Sequence, residues 1–247
     1  YGSDEDTLPM IYVFERRLAD GTFVSSRFTS YPVPEIGLGF LSYFFGSWAA
    51  NSITYIFHLT GLVIIFFSFE KKINLKKLFL FLILCISSPV LFFENLEPMD
   101  YSWAFLFFSL GVFFLSKKIF ELAILAFAFS VGCRLNFIIF VFIAIFLIKN
   151  FDEISLKRRI ILSASTFIIS GLFYLPVWFD NSFGLSWITA ARPIEQGFLG
   201  LFARFSYKTW LTFGLIQSFL IVYGLLKILK NKLLIQKYRF LLILILS

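Results

Sequence analysis

Three groups of charged residues in this chain have types and spacings suited to chemistry. The first is Asp4, Glu5 and Asp6, adjacent in "GSDEDTLPM". Carboxylates held together can take a proton from a hydroxyl or bind a divalent cation. The plainer reading is that Asp6 or Thr7 caps a helix, with Pro9 in its first turn and the neighbouring acids solvated. A second group is Glu94, Glu97 and Asp100 in "ENLEPMDYSW". Their spacing of three would put them on one helical face, although Pro98 interrupts such a helix. They have no basic partner in the same loop, so a metal, a cationic ligand or hydration must relieve their repulsion. They are a candidate divalent-metal site. The third group is Arg134 with Asn136 in "VGCRLN", set between two apolar runs. A guanidinium offers a planar fork that fits phosphate or carboxylate. Arg134 is therefore either a phosphate-seeking cation or half of a structural ion pair with one of the acids above.

The elements that must position these groups are strongly apolar. Of 247 residues, 59% are hydrophobic, 15% charged and 37 are Phe. Soluble globular domains have roughly half their residues apolar and about a quarter charged, so an ordinary soluble domain is excluded. Crossing a hydrocarbon core of about 30 Å takes about 20 helical residues. Runs at 53–69, 78–93, 101–116, 119–132, 135–148, 160–179 and 209–229, with the start of another at 238, read as membrane helices. Strand-period alternation that would favour a barrel is missing. Runs 119–132 and 135–148 each extend about 21 Å at 1.5 Å per residue, short of the core. The pair would rise and turn back early, leaving Arg134 and Asn136 below the membrane plane. A charge there needs a cavity and a partner. Segment 35–47 is too short to cross, and 7–19 alternates apolar with charged residues, so both suit short helices lying on the membrane.

Charge distribution orients these helices. Lys and Arg gather in cytoplasmic loops. One alternating set of loops carries 15 of the 22 Lys and Arg residues, including Lys71, Lys117, Arg158 and Lys230. The other set carries 11 of the 15 acids, including both acidic groups described above, and also Arg134. Candidate chemistry thus lies on the outer face. The net charge of +7 is explained by loops facing anionic lipid, with no nucleic-acid partner required. The chain's one histidine, His58, sits in an apolar run with no second imidazole or thiolate pair to make a zinc site. Cys85 and Cys133 lie in separate apolar stretches and indicate no disulfide framework. No Walker-type loop, G-x-G-x-x-G or G-x-S-x-G is present. The expected fold is all-α, a polytopic membrane helical bundle with an outer-face loop of two short interfacial helices. It forms one transmembrane domain over 1–247, with 1–50 as the external loop and 53–247 as membrane helices. A start at Tyr1 and the truncated apolar run at the end read as a piece of a longer protein, with a helix missing before Tyr1.

The order of these elements resembles the first external loop of the GT-C superfamily of polytopic glycosyltransferases. The resemblance is to the branch of dolichyl-phosphate-mannose protein mannosyltransferases and bacterial lipid-A aminoarabinose transferases. It rests on the acids at 4–6, the short helix ending "RRLADG", the element Tyr31-Pro32-Val33-Pro34, and "MDYSWAFLFFSLGVFFLSKK" followed by the helix pair interrupted at Arg134. It covers most of residues 1–180. The resemblance implies an inverting transfer of a sugar from a polyprenyl-phosphate donor to a glycan, lipid or protein acceptor at the outer face of the plasma (inner) membrane. It casts Asp6, with Asp4 as second choice, as the carboxylate that deprotonates or orients the acceptor. Arg134 becomes the donor-phosphate ligand, with Arg27 and Arg192 behind it, and Glu5, Tyr31 and Asn136 become substrate-binding candidates. The acidic loop Glu94, Glu97 and Asp100 is nearer to metal-dependent branches such as the oligosaccharyltransferases, so a divalent metal is left open as cofactor. A transporter or flippase for a polar lipid or lipid-linked sugar is the alternative, and it requires a polar path to the cytoplasmic side.

Overall fold

The computed structural model describes residues 7–21, 31–69, 74–86, 100–147 and 154–180, with isolated positions between 200 and 226. Every regular element among the described residues is an α-helix. Contacts divide the chain into two compact units, Tyr1–Ile73 with Asn95–Ala190, and Asn74–Glu94 with Ala191–Ser247.

The first unit begins with α1, Thr7–Asp20, and α2, Pro32–Phe69. Proline suits the first helical position because its fixed φ is already helical and its missing N–H would have had no intrahelical partner. The Glu35 carboxylate reaches back to accept from the Tyr31 N–H at 3.1 Å, closing the start of α2. Within α2, Gly46 adopts φ +81 and ψ 167, which splits the helix at a kink. The interfacial run expected at 35–47 and the crossing run at 53–69 are therefore two segments hinged at Gly46, with the first starting at Pro32. After the kink about 23 residues remain, about 34 Å of helix, enough to cross a bilayer. Among the described residues α2 is the one helix long and apolar enough to do so. Gly46→Ala should destabilise the protein by about 1–3 kcal/mol in reversible detergent unfolding, because only glycine occupies that backbone region without strain.

Four further helices and a short terminal one complete this unit: α4, Asp100–Ser116; α5, Phe120–Cys133; α6, Phe137–Leu147; α7, Leu156–Phe173; and α8, Leu175–Asp180. The second unit contributes α3, Leu75–Ile86, whose Asn74 side chain accepts from the Lys77 N–H at 3.1 Å as an N-cap. Helix α2 packs on α4, α4 on α5, and α5 on α7. Alanines at 123, 126 and 128 with Ser130 are buried in α5, and such small side chains let neighbouring backbones approach. The run expected at 160–179 divides at Tyr174 because Pro176 cannot donate to the preceding turn. The run expected at 78–93 is described only as far as Ile86, and most of 209–229 and all of the run from 238 lie outside the described residues.

The α4–α5 turn is closed by bonds from the Ile119 N–H to the Phe114 carbonyl at 2.9 Å and from the Lys118 N–H to the Leu115 carbonyl at 3.1 Å. Lys118 takes φ 60 to allow this, the left-handed position usually given to glycine. At the same end, the Arg158 guanidinium lies 4.0 Å from the Phe120 ring centre. Arg159 also caps the end of α6, donating to the Phe146 carbonyl at 2.7 Å and to the Ile154 carbonyl at 3.1 Å. Lys117, Lys118, Arg158 and Arg159 therefore share one end of the helices. Asp100, which opens α4, lies at the other.

Candidate functional site

The end of α4 opposite the basic turn is built around an apolar cluster. Leu38, Ala50, Trp103, Ala104 and Cys133 are its buried members, with Tyr31, Val33 and Phe137 packed against it. Three side-chain bonds tie the helices together there. Trp103 Nε1 donates to Thr54 Oγ1 at 3.2 Å, Ser130 Oγ to the Ala104 carbonyl at 2.8 Å, and the Tyr174 hydroxyl to the Val131 carbonyl at 2.9 Å. On this platform sits a polar cluster drawn from five parts of the chain.

Arg134 is the C-cap of α5, with extended backbone at φ −156 and ψ 115. Asp100 is the first residue of α4. A cation at a helix C-terminus and a carboxylate at an N-terminus both complement the helix dipoles, so the two are placed favourably before they meet. They meet at 2.6 Å, Arg134 Nη1 to Asp100 Oδ2, with 18% of the arginine side chain and none of the aspartate exposed. Arg134 Nη2 donates to the Tyr101 hydroxyl at 2.7 Å. The guanidinium also stands 3.6 Å from the centre of the Tyr101 ring and 5.6 Å from that of Tyr31. Burial by itself lowers the pKa of Arg134, but Asp100 and the tyrosines at 101 and 31 outweigh it, so the net shift is upward and the cation is secured.

Beside it lies a second pair. Arg17 Nη2 contacts Glu35 Oε2 at 3.1 Å, with 16% of the arginine side chain and none of the glutamate exposed. Here burial wins over attraction to Glu35 and lowers the pKa of Arg17. Glu35 connects the two pairs, because its other oxygen holds the backbone of Tyr31, whose ring faces Arg134. Tyr174 lies within electrostatic reach of Cys133, Tyr31, Asp100 and Glu35. Two carboxylates and two guanidiniums thus balance in charge at one end of the unit.

Of the residues expected from sequence to form the site, Arg134, Asp100 and Tyr31 are brought together. Asn136 is exposed in the turn leading into α6, two residues from Arg134. Asp4, Glu5, Asp6, Arg27, Glu94, Glu97 and Arg192 lie outside the described residues. Helix α1 runs antiparallel to the start of α2, since Arg17 meets Glu35 while Phe14 meets Phe40 and Tyr43. The end of α1 that reaches the cluster is therefore the Arg17 end. Its first turn, next to the acidic triplet in sequence, is about 15 Å away along the axis at 1.5 Å per residue. Arg134 is paired with an acid, and Asp100 is that acid.

Among the described residues no group of three His, Cys, Asp or Glu could hold a metal ion. Asp100 is already held against a fixed cation, which would oppose a divalent ion at the same oxygen. Sequence reasoning missed Glu35, Arg17 and Tyr101 as members of the cluster. The available signal was Glu35 itself, the one charge in the apolar stretch "YPVPEIGLGFLSYFFGS". Compared with protein-family models, curated proteins and solved structures, the chain matches none.

Proposed function

We propose that the chain belongs to a multi-pass glycosyltransferase of the plasma membrane that moves a sugar from a polyprenyl-phosphate carrier to an acceptor at the outer face. The observation that carries this reading is Arg134, a cation clamped by Asp100 and Tyr101 where two short helices turn back, with part of its side chain exposed. A lipid phosphate leaving group develops negative charge, and a preorganised guanidinium stabilises that charge without reorganising. Segregation of the acid–arginine cluster from Lys117, Lys118, Arg158 and Arg159 supports opposite sidedness for the two ends.

In the proposed reaction the acceptor hydroxyl loses its proton to a carboxylate; Asp6, the candidate from sequence, lies outside the described residues and precedes the end of α1 that is directed away from the cluster. The freed oxygen attacks the anomeric carbon from the face opposite the phosphate. The bond from that carbon to the phosphate oxygen breaks, the electron pair leaves with the lipid phosphate, and Arg134 faces the new charge. Configuration inverts in a single displacement.

The test is sugar transfer in proteoliposomes supplied with a polyprenyl-phosphate-linked donor. Arg134→Ala should lower kcat/KM about 100-fold or more, with Arg134→Lys intermediate because an ammonium keeps the charge but lacks the fork. Movement of donor across the bilayer without sugar transfer would instead establish the transporter reading.

A further inference from the structure

The Arg17–Glu35 pair has no part in the reaction outlined above, yet its carboxylate is completely buried. Apart from that pair, the described apolar side chains that seat α1 include Val13 and Phe14, whose ring also meets Phe40 and Tyr43. Val13 is 3% exposed, and Phe14 lies against Gly39, where an added Cβ would collide with the ring. Among the described side chains of α1, Tyr12, Arg16, Leu18 and Asp20 are exposed. A helix of 14 residues is marginal by itself and depends on tertiary contacts.

Glu35 has two consequences at once. One oxygen receives Arg17 from α1, and the other receives the Tyr31 N–H that starts α2. Tyr31 in turn presents its ring to Arg134. Removing the partner of a buried charge leaves that charge uncompensated, so loss of Arg17 disturbs Glu35, and Glu35 is what fixes the Tyr31 backbone.

We propose that Arg17–Glu35 is a latch that seats α1 on α2 and, through Tyr31, sets one wall of the Arg134 site, making Glu35 a positioning residue rather than a catalytic one. The link to substrate rests on the functional reading above. The seating of α1 does not.

The experiment uses the full chain in nanodiscs with Cys85→Ala, leaving the fully buried Cys133 in place. Spin labels at Glu15→Cys on α1 and Lys117→Cys at the far end of α4 report the seating as a distance distribution. Arg17→Met and Glu35→Gln should each broaden a narrow distribution. The double variant should broaden it no further than either single one, and Arg17→Lys should keep it narrow. A second label pair, Lys117→Cys with Asn136→Cys, should stay narrow throughout if the unit is folded. In parallel, affinity for a polyprenyl monophosphate should fall about 10-fold in Arg17→Met and recover in Arg17→Lys. A narrow α1 distribution in both single variants would overturn the latch, since Val13 and Phe14 would then suffice. Loosened α1 with unchanged phosphate affinity would overturn the connection through Tyr31. If the unaltered protein binds no polyprenyl phosphate, the functional reading fails while the labels still decide the latch.

Discussion

Asp100→Asn is expected to destabilise the protein by about 3–5 kcal/mol, the range for removing one partner of a buried ion pair. The aspartate is fully buried and its 2.6 Å contact with Arg134 is charge-assisted on both sides. An amide at this position keeps the shape but leaves the guanidinium with no countercharge at the start of α4. Breaking the pair also leaves the link from the end of α5 to the start of α4 to the contacts of Arg134 with Tyr101. Adding Arg134→Gln to Asp100→Asn should recover most of the loss, because two neutral amides carry no buried charge. The measurement is a double-mutant cycle in reversible detergent unfolding. A cost below about 1 kcal/mol for Asp100→Asn would mean that water reaches the pair and screens it.

The second large effect is expected at Asp6. If its carboxylate takes the acceptor proton, Asp6→Asn removes the base while preserving size and polarity. Transfer from a polyprenyl-phosphate donor should fall by roughly 100-fold or more, with expression and membrane insertion unchanged. Asp6→Glu should keep a measurable rate. Undiminished transfer in Asp6→Asn would remove this residue from the reaction and shift attention to another carboxylate.

The helical fold was legible because its signal is composition and length. The runs expected at 101–116 and 119–132 reappear within a residue or so of α4 and α5. Other boundaries moved for backbone reasons that a hydrophobicity pattern does not contain. Gly46 hinges α2 through a positive φ, and Pro176 divides the run that began at 160. Of the polar cluster, Arg134 and Asp100 were visible as charges bordering apolar helices, where each must find a partner. That they would choose each other was not visible, since 34 residues separate them and pairing depends on how α4 and α5 align. Glu35 and Arg17 were harder still. In sequence the first reads as one more outer acid and the second as part of an amphipathic helix. Only the antiparallel seat of α1 on α2 joins them.

Sidedness underlies the whole account, and it can be measured directly. Asn136→Cys lies in the exposed turn after Arg134, and Lys117→Cys lies at the opposite end of α4. In a Cys85→Ala background, a membrane-impermeant maleimide applied to intact cells should label Asn136→Cys and spare Lys117→Cys. Inverted membrane vesicles should give the reverse. Labelling of both positions from the same side would place the acid–arginine cluster and the basic turn in one compartment and contradict the account.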